Sequence, residues 1–163
     1  MQAKTLIIAY GNRDREDDGA GWHILDKLAL QLGLETPEFP GDQVSTPDGR
    51  LTLLYLFQLL PEMAEDIADY DQLIFIDAHN SPSLPNLVFE QVSPDQTHSA
   101  FTHHMGPGEL LAIAQILGRK LPLSWILSVR GFSFRFARTL SEETSEMVDQ
   151  AFSRLLTHLS LTV

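Results

Sequence analysis

Three stretches of the chain are apolar almost without interruption: residues 4–10 (KTLIIAY), 72–78 (QLIFIDA) and 125–129 (WILSV). Such runs suit strands covered on both faces, and they predict the central parallel strands of a sheet. Between the first two the spacing becomes helical. Trp22, Leu25, Leu28 and Leu32 recur at helical intervals from residues 19–31 onward, and residues 51–68 read as a second helical stretch that Pro61 should kink or divide. Strand and helix therefore alternate as β-α-β. Val44 and its neighbours form at most a short edge strand, because Pro40 and Pro47 bracket them.

Residues 87–92 (LVFEQV) are a further strand candidate, separated from the strand before them only by residues 80–86. That connection is too short for a parallel crossover helix, so this strand should run antiparallel. The remaining helices fall at residues 108–117 and 141–159. Ser141 is placed to cap the last one, with Glu142 and Glu143 in its first turn and Met147, Ala151, Leu155 and Leu159 on one face. The expected architecture is a three-layer α/β/α sandwich around a mixed, mostly parallel sheet of about five strands, one of them antiparallel. No repeat, low-complexity tract or linker interrupts residues 1–163, and the proline-containing segments 35–47 and 80–85 are short enough for surface loops. One domain is expected, and a chain of 163 residues is long enough to bury a full core.

Composition narrows the chemistry. The chain has no cysteine, so any metal must be bound through oxygen and imidazole, and nothing requires an oxidising compartment. With 22 acidic against 11 basic residues the net charge is −11, which opposes a polyanionic partner and argues against nucleic acid. The first residues, MQAKTLIIAYGN, hold too short an apolar run for a signal peptide, and no stretch approaches the roughly 20 apolar residues of a membrane helix. A soluble, cytoplasmic protein without membrane contact is the expectation.

In open α/β sheets ligands bind beyond the carboxyl ends of the strands, so polar residues that immediately follow strands are informative. Residues 11–21 (GNRDREDDGAG) join the first strand to a helix. Loops of this kind often cradle phosphate at a helix N-terminus. Here Asp14, Glu16, Asp17 and Asp18 would repel it, and neither a complete dinucleotide fingerprint nor a P-loop lysine is present. A nucleotide-binding domain is thereby disfavoured. The loop suits a cation or a general base, although Asp17 or Asp18 could equally cap the helix. Asp77 ends the apolar run LIFIDAHN, where a rigid strand would position a catalytic or metal-binding carboxylate, and its competing reading is a turn cap. His103 and His104 precede the helix announced by Gly106-Pro107-Gly108; imidazole is the commonest metal ligand, and adjacent histidines point in different directions, so one of the two would enter a shared site.

At these residues the sequence resembles the nickel-iron hydrogenase maturation protease family. The resemblance is carried by Gly11-Asn12 after the first strand, Asp17-Asp18-Gly19-Ala20-Gly21, Asp77-Ala78 at a strand end, Thr102-His103 before a helix, and Leu140-Ser141 before the last helix. It runs from Leu6 to about Leu156. Ala9 stands where members commonly carry glycine, and residues 13–16 are more charged than usual. The resemblance implies a mixed sheet with one antiparallel strand between helical layers. It also implies an endopeptidase, of aspartic or metal-assisted type, that removes the C-terminal extension of a hydrogenase large-subunit precursor after nickel insertion. Asp18 and Asp77 would be its catalytic carboxylates and, with His103, its metal ligands; His104 competes with His103 for the third place. The nickel would arrive with the substrate, no resident cofactor being expected. A non-catalytic checkpoint or chaperone that binds the loaded large subunit would need the same three ligands.

Overall fold

The computed structural model describes residues 3–95 and 104–161. Strand β1 (Thr5–Tyr10) leads through a 3-10 turn (Glu16–Gly19) into α1 (Ala20–Gln31). The short β2 (Gln43–Ser45) precedes β3 (Leu51–Leu56), α2 (Met63–Asp66), β4 (Gln72–His79) and β5 (Leu87–Gln91). Helix α3 (Pro107–Ile116), β6 (Leu123–Arg130) and α4 (Glu142–His158) complete the described chain. The sheet has six strands in the order β2-β3-β1-β4-β6-β5. Its four inner strands are parallel, while β2 and β5 lie antiparallel at the two edges.

Because successive side chains of a strand point to opposite faces, the apolar runs divide into two cores. Ile7, Ala9, Leu53, Tyr55, Ile74, Ile76, Leu127 and Val129 face α1 and α4. Leu6, Ile8, Leu73 and Phe75 face α2 and α3. An uninterrupted apolar run is what a strand between two helical layers requires, and β1, β4 and β6 fall where the runs predict them. Strand β5 pairs antiparallel with β6, as its short connection demands. Ser141 caps α4, its side chain accepting a hydrogen bond from Thr144 N at 3.3 Å.

Residues 51–68 are not a helix. Leu51–Leu56 form β3, which pairs with β1 from Thr5↔Leu51 to Tyr10↔Leu56. Helix is confined to Met63–Asp66, followed by a 3-10 turn at Ile67–Asp69. The leucine-rich sequence LTLLYL fits either period, so pairing with a buried neighbour decides the outcome over local propensity. Pro61 stands just ahead of α2 and accepts from Ala64 N at 3.1 Å. One consequence bears on the site: the carboxyl end of β3 delivers Phe57 and Gln58 to the same sheet edge as the ends of β1 and β4. Among the described residues no helix is long and apolar enough to cross a membrane.

Candidate functional site

The carboxyl end of the sheet carries a polar row. Tyr10 follows Ile8 by two residues, Asp77 follows Phe75 by two, and Ser128 is the register partner of Asp77 in β6; strand parity therefore turns all three toward the α2–α3 face. The Tyr10 hydroxyl donates to Asp77 Oδ2 at 2.7 Å. Asp77 Oδ1 is sealed from solvent and has no hydrogen-bond partner among the described residues. Burial pushes the Asp77 carboxyl above its ordinary range, and the Asp18 charge adds to the rise, against the opposing pull of the Ser128 and Tyr10 hydroxyls and of His79. The Ser128 hydroxyl does not complete a hydrogen bond to Oδ1. Leaving a buried acceptor unpaired costs about 1–3 kcal/mol, and such a cost is found where a site reserves an atom for a ligand or a proton. The same burial raises the Tyr10 hydroxyl well above its usual value, with the neighbouring Asp77 charge adding to it, so Tyr10 remains a donor.

Asp18 reaches this edge through glycines. Gly11 has φ +142, and a Cβ there would lie 2.2 Å from Asp18 O. At Gly21 a Cβ would lie 2.7 Å from Ile76 O, so only glycine lets the start of α1 press against β4 one residue before Asp77. The loop is closed by Asn12, whose N–H donates to Asp18 Oδ2 at 2.8 Å while its own Oδ1 accepts from Asp14 N at 2.9 Å. Asp18 keeps the rest of its carboxylate for the cleft that it lines.

Asp17, its neighbour, is occupied entirely by the fold. Asp17 Oδ2 accepts from Phe132 N, Ser133 N and Ser141 Oγ at 2.7, 2.9 and 2.7 Å, and Oδ1 from Ser141 N at 2.8 Å. Burial acts to raise its carboxyl, but these four donors outweigh burial and hold the pKa below the ordinary range. Glu16, with φ +43, is likewise turned inward, accepting from Ser133 Oγ and from Arg135 N at 3.1 Å. The Ser133 bond is the largest cause of its lowered pKa. The acidic loop thus separates into two inward anchors, Glu16 and Asp17, a surface partner for Arg138, which is Asp14, and Asp18, held at the cleft by the Asn12 amide.

Asp18 and Asp77 line one cleft of about 210 Å³, together with Tyr10, Asn12, Gln58 and His104. His104 stands with its Nδ1 3.1 Å from Gln58 Oε1. His103 and Thr102 lie outside the described residues. Among the described residues no three histidine, aspartate or glutamate side chains converge closely enough to hold a metal ion. A second opening of about 410 Å³ adjoins the first, sharing Asn12, Asp18, Phe57 and Ala78 and adding Arg15, His79 and Phe134. The sequence singled out both carboxylates that line this cleft but not Tyr10 and Gln58, which line it too, or Ser128 beside Asp77. A tyrosine at the end of an apolar run is the only local signal for the first of these.

A six-stranded mixed sheet between helical layers, with two carboxylates at its carboxyl edge, defines an α/β protein of the kind that binds its ligand beyond the strand ends. The solved structures that share this fold include the hydrogenase maturating endopeptidase HybD from E. coli, with a TM-score of 0.72 at 20% identity over 96% of this chain and 92% of that one. The hydrogenase maturation protease HycI from Thermococcus kodakarensis gives 0.66 at 16% identity over 97% and 93%, and a hydrogenase 2 maturation peptidase from a Thaumarchaeota archaeon gives 0.62 at 22% over 98% and 99%. No family model and no curated protein matches the sequence.

Proposed function

We propose that this chain is an endopeptidase of nickel-iron hydrogenase maturation, trimming the C-terminal extension of the large-subunit precursor once nickel has been inserted. One observation carries the reading: Asp18 and Asp77 line a single cleft at the carboxyl edge of a sheet, in a fold shared along nearly the whole chain with maturation endopeptidases. The unpaired Oδ1 of Asp77 and the carboxylate of Asp18 are oxygen donors suited to a divalent ion. Nickel held by the precursor meets them there, with an imidazole from His103 completing the set, so that loading becomes a condition for cleavage. His104, which lines the cleft, is the competing third donor.

The two carboxylates divide the work. Asp18, fixed by the Asn12 amide, orients the incoming metal. Asp77, whose pKa burial raises, accepts a proton nearer neutral pH than an exposed aspartate does. Water adds to the scissile carbonyl carbon as its proton passes to Asp77. That proton then goes to the departing amide nitrogen as the C–N bond breaks. Incubation with nickel-loaded and nickel-free precursor, followed by weighing the products, tests the proposal. Loss of the extension from loaded precursor alone is the expected result. Tight binding of loaded precursor with its mass unchanged would instead make the protein a non-catalytic checkpoint.

A further inference from the structure

The loop that follows β6 is built as a rigid display. Residues 14–17 and 132–141 are zipped together: Glu16 N donates to Ala137 O at 2.7 Å and Ala137 N to Asp14 O at 3.0 Å. Arg15 donates twice to Phe134 O at 3.1 and 2.9 Å, and Asp17 holds Phe132, Ser133 and Ser141 as described above. Gly131 is required beneath it, because a Cβ there would lie 2.7 Å from the Phe134 ring and 2.9 Å from Asp17 Cβ. What this framework leaves outside is aromatic. Phe136 is 87% exposed, and Phe132 and Phe57 are also exposed, while Phe57 and Phe134 wall the opening that leads to Asp18. Four of the nine phenylalanines in the chain therefore stand at one sheet edge or on the loop beside it. Single exposed apolar residues need no explanation, but this grouping does.

The ion pairs of the zip are oriented. In Arg135–Glu16 the guanidinium is 85% exposed and the carboxylate 8%; in Arg138–Asp14 the guanidinium is again the more exposed partner. A protein of net charge −11 thus turns guanidinium groups outward beside its exposed phenylalanines, in the aromatic-and-arginine composition of binding hot spots. Holding these groups in place beforehand lowers the entropy lost when a partner docks.

We infer that the loop at residues 131–138, with Phe57 across the opening, is the docking surface for one occupant: an extended segment of the precursor polypeptide carrying apolar and acidic side chains, led from here to Asp18 and Asp77. The inference rests on the proposed function and adds to it the face by which the substrate is read. The apolar side chains seat against Phe57, Phe134 and Phe136, and the carboxylates meet Arg135 and Arg138.

The test compares the wild-type chain with Phe136→Ala and with Arg138→Ala, using nickel-loaded large-subunit precursor as the probe. Each variant is expected to raise KM about tenfold with kcat and thermal unfolding unchanged, and Arg138→Ala also to weaken the salt dependence of association. Cleavage by both variants with unaltered KM overturns the docking surface and leaves the proposed function standing. Wild-type protein that neither binds nor cleaves the precursor overturns both. Sedimentation showing a wild-type dimer that Phe136→Ala converts to monomer also overturns the inference, since the occupant would then be a second copy of this chain.

Discussion

Among individual residues, Asp17 and Asp77 differ in how far their oxygens are satisfied. Asp77 has one described hydrogen bond and one stranded oxygen. Asp77→Asn preserves its size and its bond from Tyr10 but removes the charge, so cleavage of loaded precursor is expected to fall by at least about a hundredfold with little change in thermal unfolding. Near-normal cleavage would reduce Asp77 to a turn residue. Asp17 predicts the opposite pattern. An amide in its place keeps one acceptor but must turn its NH2 toward either the Ser141 N–H or the Phe132 and Ser133 N–H groups, so Asp17→Asn should cost about 1–3 kcal/mol of stability at neutral pH. Because its folded pKa is depressed, the stability contributed by Asp17 is complete above the ordinary aspartate range and is lost as pH falls through the depressed value. Urea unfolding at stepwise lower pH should therefore show wild type and Asp17→Asn converging, and a constant gap would refute the assignment. The sequence placed Asp77 at the end of its strand and Asp18 in the loop after β1, as found, yet it could not separate Asp17 from Asp18, since which one turns inward depends on donors more than a hundred positions away. Tyr10 escaped notice for the same reason: its partner lies 67 positions off and is set by strand register.

Between elements, the site depends on how closely the start of α1 approaches β4. Gly21 marks the contact, 2.7 Å from the Ile76 carbonyl for any added Cβ, and the obstacle is backbone, which cannot swing aside. Gly21→Ala should destabilise the fold by about 1–3 kcal/mol and also lower cleavage, because the displacement shifts Asp18 relative to Asp77. Denaturant titration and precursor cleavage on one preparation check both effects; an alanine variant of full activity would show that the packing distance is unimportant. Where an element's period was unambiguous, as in β1, β4, β6 and α4, the apolar pattern located it. The stretch at residues 51–68 failed because LTLLYL suits a helix as well as a strand covered on both faces, and nothing local announces that β1 lies alongside. The short β2, with three residues, is held by its pairing with β3 and by Val44 against the core.

For the molecule as a whole, the cleft offers one carboxylate from the end of β4 and one from the 3-10 turn after β1, and the imidazole proposed to join them precedes α3. Two oxygens and one nitrogen leave a divalent ion short of ligands, so the isolated chain should bind nickel weakly, yet more tightly than manganese or iron(II). Binding should fade as pH drops through the raised Asp77 pKa, a higher pH than an ordinary aspartate would give. Calorimetric titration across that range checks it; tight binding insensitive to pH would contradict the arrangement. His103→Ala and His104→Ala in the same titration identify the third donor. The long span from Asp17 to Ser141 has one more consequence, in biosynthesis. While the chain is being made from its N-terminus, the loop bearing Asp17 and Asp18 is complete early, but the donors that anchor Asp17, at Phe132, Ser133 and Ser141, emerge from the ribosome only after β6. A nascent chain therefore holds Asp17 without its partners until those residues have emerged, and the cleft proposed as the site takes its final form only then.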